Sequence, residues 1–329
     1  MCVCYIKEKD SDRELYEIDG EINNNIFTDL FLKIVVIIKD IFNIITIKKI
    51  YNGYIFLIPY QIKNNKYYLR KNKKIIKKIN NNIQKFKIDT IVLADDIKKK
   101  ENFINLLINE NFVSNKIKIL NGKGIFPYLL LETVMYILKI QNKRSELEDI
   151  YILIDNNNEL CLKYIYMFSK NFKMVNVVTS NINKYKKLEE KIFNEDETVI
   201  TVTNNRKKSL KRAKIIINID FEAEKLKKYN INRKAIIINV EKDIFNNSNI
   251  FDGININNLD INISQELKNF FDEYNLLNKT SLTILYESIL NKKDSFENIK
   301  ERIKKDEVSI IRLIGNNGTI DEKEYLRVI

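Results

Sequence analysis

Four consecutive residues, Asp155-Asn156-Asn157-Asn158, separate a run of β-type apolar residues from a helical pattern. The phosphate loop of a dinucleotide-binding domain lies at such a junction, where glycines let the backbone approach a pyrophosphate at the start of a helix. Asn is the non-glycine residue that best tolerates left-handed backbone angles. These four residues are therefore candidates for a cofactor-binding loop in which Asn stands in for Gly.

The same four residues also fit an ordinary turn between a strand and a helix. Asn158 is a favourable N-cap, and Glu159 is favourable in the first turn of a helix. The Asn side chains remain where a pyrophosphate would come closest, and Asp155 adds a negative charge there. The sequence leaves both interpretations open.

Three residues at the end of the next strand, Thr179, Ser180 and Asn181, can also contact a nucleotide. NAD-binding domains place an acid at this strand end for the ribose hydroxyls, and NADP-binding domains place Arg nearby. Here the hydroxyls of Thr179 and Ser180 can bond a ribose or a phosphate, and Lys184 can bind a 2′-phosphate. The alternative for Lys184 and its neighbours is a solvated helix face.

The densest basic stretch of the chain is TNNRKKSLKRAK, residues 203–214. It supplies five candidate anion-binding residues, which are Arg206, Lys207, Lys208, Lys211 and Arg212. The alternative is a solvated helix. The net charge of +12 favours polyanionic partners, but only 9 of the 56 basic residues are Arg, the residue that makes bidentate phosphate contacts. We therefore rank a nucleotide or other anionic small molecule above a nucleic acid as the partner.

The absence of His excludes a Ser-His-Asp triad, a Cys-His pair and His-ligated zinc. The three cysteines, Cys2, Cys4 and Cys161, do not make a disulfide framework or a four-ligand zinc site, and we predict no metal site. There is no signal-peptide pattern and no uninterrupted apolar run of about 18 residues. We expect a cytoplasmic protein that does not enter a membrane; the oligomeric state is left open.

Short strands and helices alternate regularly from residue 150 onward. The strands are β-branched and nearly continuously apolar, which is typical of parallel strands covered by helices on both faces. This pattern predicts an α/β fold with a Rossmann-like, doubly wound parallel sheet in the C-terminal half. The predicted strands are 150–154, 174–179, 198–203, 214–219 and 235–240, and the predicted helices between them are 158–170, 183–194 and 206–212.

The first part of the chain predicts a mixed α/β domain that contains β-hairpins. One hairpin is predicted over 1–20, a second around the turn Asn52-Gly53, and a further strand over 66–70. Residues 25–42 and 72–87 predict helices. The domain boundaries that follow are an N-terminal domain over 1–124, a connecting helix and linker over 125–149, the Rossmann-like domain over 150–262 and a C-terminal helical segment over 263–329, with Ser264 and Ser295 as helix caps.

This order of elements resembles the shikimate dehydrogenase-like amino-acid dehydrogenases and their methylenetetrahydrofolate dehydrogenase relatives. In that family a substrate domain comes first, a long helix crosses to a Rossmann domain, and C-terminal helices return. The resemblance covers roughly residues 88–305 and implies NAD or NADP as the cofactor. The Ile-, Asn- and Lys-rich composition also resembles Rossmann-like proteins of AT-rich, spore-forming anaerobes, which implies a fold and no mechanism.

The motifs of the dehydrogenase family are replaced in this chain. The Gly-Ala-Gly-Gly loop falls on Asp155–Asn158, and the Asn-Arg-Thr motif falls on Thr179–Asn181. The Asn-Thr-Asp-Gly segment is matched only weakly, by Asn121-Gly122-Lys123-Gly124. This stretch lacks the catalytic Asp, and no catalytic Lys is placed.

We therefore predict a binding or regulatory module with an eroded dinucleotide site. An NAD(P)-dependent oxidoreductase is the alternative, and nucleic-acid binding through residues 203–214 is the third. In the oxidoreductase the substrate would lie near Asp95, Asp96 and Lys123, since Asp95 and Asp96 follow a strand. These two acids equally fit the cap of the next helix.

Overall fold

The computed structural model describes most of the 329-residue chain. The predicted helix over 25–42 and the second arm of the hairpin predicted over 1–20 lie outside the described residues. The described residues are 2–8, 45–50, 53–58, 69–111, 117–156, 159–196, 199–222, 226, 229–241, 251–290 and 293–328.

The described strands are short and mostly rich in Ile and Val, as β-branched side chains favour. In chain order they are β1 Val3–Glu8, β2 Thr46–Ile50, β3 Gly53–Ile58, β4 Thr90–Leu93, β5 Lys118–Ile119, β6 Asp149–Leu153, β7 Met174–Val178, β8 Ile200–Thr203, β9 Ile215–Asn218, β10 Ile236–Asn239, β11 Ile254–Ile256, β12 Asn258–Asn262, β13 Ser309–Gly315 and β14 Gly318–Thr319.

The described α-helices lie between and after these strands. In chain order they are α1 Leu69–Lys85, α2 Asp95–Lys98, α3 Glu101–Asn111, α4 Leu130–Ile140, α5 Glu159–Ser169, α6 Ile182–Asp196, α7 Arg206–Arg212, α8 Gln265–Asp272, α9 Leu282–Ile289, α10 Phe296–Lys305 and α11 Glu322–Arg327. A 3₁₀ turn, Phe126–Leu129, precedes α4 and carries Pro127 in its first positions, where a missing N–H costs nothing.

The chain divides into two compact units, and each contains two stretches of sequence. The first unit is Met1–Asn121 with Ser264–Lys293, and the second is Gly122–Ile263 with Asp294–Ile329. This division differs from the predicted one in two ways. The helix expected to connect two domains belongs to the second unit, and the expected C-terminal segment is shared between both units.

The first unit is built on a five-stranded sheet in the order β2-β3-β1-β4-β5. All pairs are parallel except β2 with β3. Alternate residues of β1 face opposite sides, as the strand period requires. Cys4 and Ile6 join an apolar core with α1 and α3, whereas the hydroxyl of Tyr5 lies 2.6 Å from the Ser288 hydroxyl of α9. Helices therefore cover both faces of this sheet.

Two local predictions in the first unit need correction. β1 is paired on both edges, with β3 and β4, so it is an interior parallel strand and not the first arm of a hairpin over 1–20. Leu69 and Arg70, placed in a strand over 66–70, begin α1. The antiparallel pair of β2 and β3, with Ile50 opposite Gly53, is the one predicted around Asn52-Gly53.

The second unit contains a six-stranded parallel sheet in the order β11-β10-β9-β6-β7-β8. Numbered from β6, this is the order 3-2-1-4-5-6 of the Rossmann fold. The strands are buried, as in Ile215–Asn218 and Ile236–Asn239, where every residue is buried. The predicted α/β fold class with a doubly wound parallel sheet is confirmed.

A second, antiparallel sheet of three strands, β12-β13-β14, belongs to the same unit. The segment predicted to be helical after residue 263 therefore also contains strands. β13 contains three Ile residues, and its partner, β12, lies about fifty residues earlier in the chain, so the local helical pattern did not reveal the pairing. The Tyr136 hydroxyl of α4 donates to the Ile311 carbonyl at 3.0 Å and ties this sheet to α4.

Candidate functional site

The candidate site lies at the carboxyl edge of the six-stranded sheet, where β6 and β9 are neighbours. In a sheet of this order the crevice between the first and fourth strands is the topological switch point, where such folds bind their ligands. The predicted loop at Asp155 follows β6 and lies at this crevice. The loop that follows β9 faces it and begins with Ile219 and Asp220.

A carboxylate of the chain itself binds the backbone donors of the predicted loop. One oxygen of Asp220 accepts a hydrogen bond from the N–H of Asp155 at 2.8 Å, and the other accepts one from the N–H of Asn156 at 2.6 Å. Asp220 is only 8% exposed. Loop N–H groups at this edge are what a dinucleotide fold offers to phosphate oxygens. The two oxygens of Asp220 therefore bind two N–H groups at the start of this loop, ahead of the helix that begins at Glu159.

Asp155 joins this loop to the end of β7. Its Oδ1 accepts a hydrogen bond from the N–H of Ser180 at 2.7 Å, and its carbonyl oxygen accepts one from the side-chain amide of Asn181 at 2.8 Å. The hydroxyl of Thr179, a fully buried residue, accepts from the N–H of Asn181 at 3.0 Å. The polar groups predicted to contact a ribose or a phosphate thus hold two loops of the chain together.

Arg206, of the five predicted anion-binding residues, reaches this network. Its Nη2 lies 3.6 Å from Oδ2 of Asp155 and donates to the Ser180 hydroxyl. Its guanidinium also lies 4.8 Å from the centre of the Phe221 ring, a favourable cation–π arrangement. The side chains of Arg206 and Asp155 are 16% and 19% exposed, so the ion pair is largely shielded from water.

The other four predicted anion-binding residues lie on the exposed surface of α7. They are Lys207, Lys208, Lys211 and Arg212. The helix begins after Asn205, whose side-chain oxygen accepts the N–H of Lys208 at 3.1 Å. Lys184 is likewise exposed, on α6. These side chains stand apart from the hydrogen bonds that close the loop at Asp155.

Sequence reasoning missed two residues of the network, Asp220 and Tyr185. The Tyr185 hydroxyl of α6 donates to the carbonyl oxygen of Asn156. Burial, followed by the neighbouring ionisable groups of Cys161, Asp220 and Asp155, raises the pKa of this hydroxyl above its ordinary value. Asp220 follows the run IIINI as Asp155 follows IYILI. The rule that singled out Asp155 therefore applied equally to Asp220.

The two described residues of this loop have their backbone N–H groups engaged within the chain. Both N–H groups donate to Asp220, and Asn156 does not adopt a positive φ. The negative charges of Asp155 and Asp220 would also face an incoming phosphate. Asn157 and Asn158 lie outside the described residues, so the N-cap predicted at Asn158 stays a prediction.

The predicted catalytic candidates divide between the two units. Asp95 and Asp96 belong to the first unit, and Lys123 belongs to the second. Asp96 accepts the N–H of Ile97 at 2.7 Å, and Asp95 pairs with Lys98 at 2.7 Å. Both acids lie in the first turn of α2, but the N-cap is Ala94 and no side-chain cap hydrogen bond is made. The predicted cap is therefore wrong, and Asp96 also lies 3.7 Å from the ammonium of Lys279.

Two surveys of the described residues bear on other kinds of site. Within the described ranges, no three Cys, Asp or Glu side chains are grouped closely enough to hold a metal ion. No helix in the part of the chain that the structure describes has the length and apolar character needed to cross a membrane.

Comparison with known proteins supplies no family for this chain. No protein-family model matches the sequence. No curated protein matches it either.

Among solved structures, the chain is similar to L-tryptophan dehydrogenase from Nostoc punctiforme, with 10% identity over 99% of this chain and 84% of that one, at a TM-score of 0.31. It is also similar to ornithine carbamoyltransferase from Pyrococcus furiosus, with 14% identity over 72% and 71% of the two chains, at 0.25. Aspartate transcarbamoylase from Trypanosoma cruzi gives 12% identity over 75% and 72%, at 0.27. Scores this low carry no functional assignment, and the fold rests on the observed strand order.

Proposed function

We propose that this protein is a binding or regulatory module in which the side chain of Asp220 occupies the place where a Rossmann fold binds phosphate. In this proposal the protein does not use NAD or NADP for hydride transfer. The observation that supports the proposal is the pair of hydrogen bonds from Asp155 and Asn156 to the Asp220 carboxylate. An anionic small molecule, such as a nucleotide, would enter the switch point only by displacing that carboxylate.

The strength of these two hydrogen bonds determines how much affinity a phosphate ligand loses when it displaces the Asp220 carboxylate. A hydrogen bond to a charged group contributes about 1.5–3 kcal/mol, and about 1.4 kcal/mol corresponds to a tenfold change in affinity. A phosphate that replaced the carboxylate would need to offset two of these bonds. It would also meet the charge of Asp155, which Arg206 partly neutralises. We therefore expect weak nucleotide binding by the native chain and tighter binding once the carboxylate is removed.

The test is a calorimetric titration of the native protein and of Asp220→Ala with NAD, NADP, ATP and inorganic phosphate. We expect no measurable binding of NAD or NADP by the native protein at millimolar concentration. We expect Asp220→Ala to bind at least one phosphate-bearing ligand about tenfold or more tightly than the native protein does. Asp95→Ala is the matched control, because that acid pairs locally with Lys98.

Two results would contradict this function. Micromolar binding of NAD or NADP by the native protein would favour the oxidoreductase. Equal affinities of the native protein and Asp220→Ala for every ligand would show that Asp220 does not close a ligand seat.

A further inference from the structure

A second cavity of the same unit lies away from the carboxyl edge of the sheet, between α5, α6 and α10. Its volume is about 670 Å³, which is in the range of small-molecule sites. The apolar residues that line it are Leu162, Tyr166, Met167, Leu188, Ile192 and Phe296. None of these residues belongs to the Asp220 network.

The floor of this cavity, which we call the α5–α10 groove, is held by aromatic packing. The Phe296 ring lies 5.4 Å from the Tyr128 ring and 6.1 Å from the Tyr164 ring, centre to centre. Tyr164 is 1% exposed. Rings packed at these distances stabilise one another, so Phe296 presents a fixed apolar surface to the groove.

Charged residues form the rim of the groove, and the lysines among them are already paired. Lys163 lies 3.0 Å from Glu159 and 2.8 Å from Glu297. Lys300 pairs with Glu132 and donates to the Tyr128 carbonyl at 3.0 Å. Both ammonium groups thus have carboxylates as neighbours, which lowers their attraction for a further anion.

Carboxylates are the more exposed charges of the rim. The side chains of Lys163 and Lys300 are each 25% exposed, whereas those of Glu159 and Glu297 are 83% and 59% exposed. Glu301 also lines the groove and is exposed. The hydrogen bond from Lys163 lowers the pKa of Glu297 and keeps it ionised. A charged group that approaches the mouth therefore meets negative charge first, although the chain as a whole is basic.

The aromatic rings that line the groove already accept cations. The Lys163 ammonium lies 5.9 Å from the centre of the Phe296 ring, and that of Lys170 lies 4.2 Å from the centre of the Tyr166 ring. Ring faces attract ammonium groups within about 6 Å. Apolar walls, aromatic faces and an acidic mouth together suit a molecule with an apolar body and a cationic head.

We propose that the α5–α10 groove binds a small cationic amphiphile, with its apolar part against Phe296 and its ammonium or guanidinium head at Glu297 and Glu301. This site is separate from the Asp220 seat and does not depend on the proposed function. The ligand proposed for the groove is a cation, whereas the ligand expected at Asp220 is an anion.

The test uses three probes that share an octyl tail, namely octyltrimethylammonium, octyl sulfate and octyl glucoside. The chain contains no Trp, so a Tyr166→Trp variant gives a single fluorescence reporter in the groove. We expect saturable binding of octyltrimethylammonium below its micelle concentration, about fivefold or more tightly than the other two probes. We expect a further Glu297→Gln and Glu301→Gln double substitution to remove this preference.

The control is Glu190→Gln, which neutralises an exposed carboxylate of α6 that does not line the groove. It should leave the preference for the cationic probe unchanged. Equal affinities for the three probes, a preference for octyl sulfate, or no saturable binding would each overturn the proposal. Calorimetry on the native chain, without the reporter, should give the same order of affinities.

Discussion

Acidic residues follow a buried parallel strand in both units, yet they make different contacts. After β4 of the first unit, Asp96 accepts the N–H of Ile97 and Asp95 pairs with Lys98. After β6 of the second unit, Asp155 accepts the N–H of Ser180, 25 positions away, and its own N–H donates to Asp220, 65 positions away. In the first pair, Asp95 pairs within its own helix and Asp96 also lies 3.7 Å from the ammonium of Lys279. The second pair, Asp155 and Asp220, connects the ends of neighbouring strands.

The difference shows that residue type after a strand does not by itself make a ligand site. At β4 the two acids lie in the first turn of α2, after the N-cap residue Ala94, and they form ion pairs with Lys98 and Lys279. After β6 the fold brings a second acid, Asp220 after β9, to the topological switch point of the sheet. The contrast depends on Asp220, and replacing this residue is the change for which we expect the largest effect on stability.

Replacing Asp220 with Ala should destabilise the protein by about 2–4 kcal/mol. The substitution removes the charged acceptor of two part-buried N–H groups, and a hydrogen bond to a charged group contributes about 1.5–3 kcal/mol, less where water replaces it. Urea unfolding followed by circular dichroism measures the loss. Asp95→Ala, which removes an exposed local ion pair, should cost less than about 1 kcal/mol. Equal losses for the two variants would contradict the contrast between the acids.

Alkaline pH should lower the stability of both units, because each buries tyrosine hydroxyls. Burial raises the pKa of Tyr5 in β1 from its ordinary value of 10.0 to about 12, although its hydrogen bond with Ser288 acts in the opposite direction. Burial also raises the pKa of Tyr185, the hydroxyl that bonds Asn156. Because the folded state holds the Tyr5 proton more tightly than the unfolded state does, this stabilisation is complete below pH 10.0 and is lost as pH rises to about 12.

The loss that corresponds to the Tyr5 shift is about 2.7 kcal/mol, since one pKa unit equals about 1.36 kcal/mol. Urea unfolding at a series of alkaline pH values measures it, and ultraviolet absorbance of tyrosinate follows the ionisation. Tyr5→Phe and Tyr185→Phe should each flatten part of the pH dependence in this range, because both hydroxyls keep their proton in the folded state and lose it in the unfolded state. A pH dependence that Tyr5→Phe leaves unchanged would contradict the shift of the Tyr5 pKa.

Much of the fold could be predicted because it depends on local pattern. Continuously apolar runs such as Ile215–Asn218 alternate with helical segments, and that alternation favours a parallel doubly wound sheet. The pairing of β12 with β13 could not be predicted in this way, because the two strands are far apart in sequence. Register and partner choice over such distances depend on tertiary packing.

The candidate site was predictable only in part, for the same reason. The residues of the loop, Asp155 and Asn156, stand out because they follow a strand. What the loop does depends on Asp220, Ser180 and Arg206, which the fold brings to it from the ends of three other strands. An acid whose carboxylate binds a neighbouring loop looks, in the sequence, like any other acid after a strand.

The smallest expected effect separates two serines that the sequence marks equally as helix caps. The Ser295 hydroxyl accepts the N–H of Asn298 at 3.2 Å at the start of α10, whereas Ser264 precedes α8 without a side-chain cap bond. Ser295→Ala should therefore cost about 1 kcal/mol, and Ser264→Ala should cost a few tenths or less. Because α10 also carries Phe296 and Glu297, the Ser295 variant should weaken octyltrimethylammonium binding slightly while Ser264→Ala does not. Equal unfolding free energies for the two variants would mean that the cap hydrogen bond of Ser295 contributes nothing to stability. The same would then be expected of other hydrogen bonds within one helical turn, such as that of Asp96 with the N–H of Ile97.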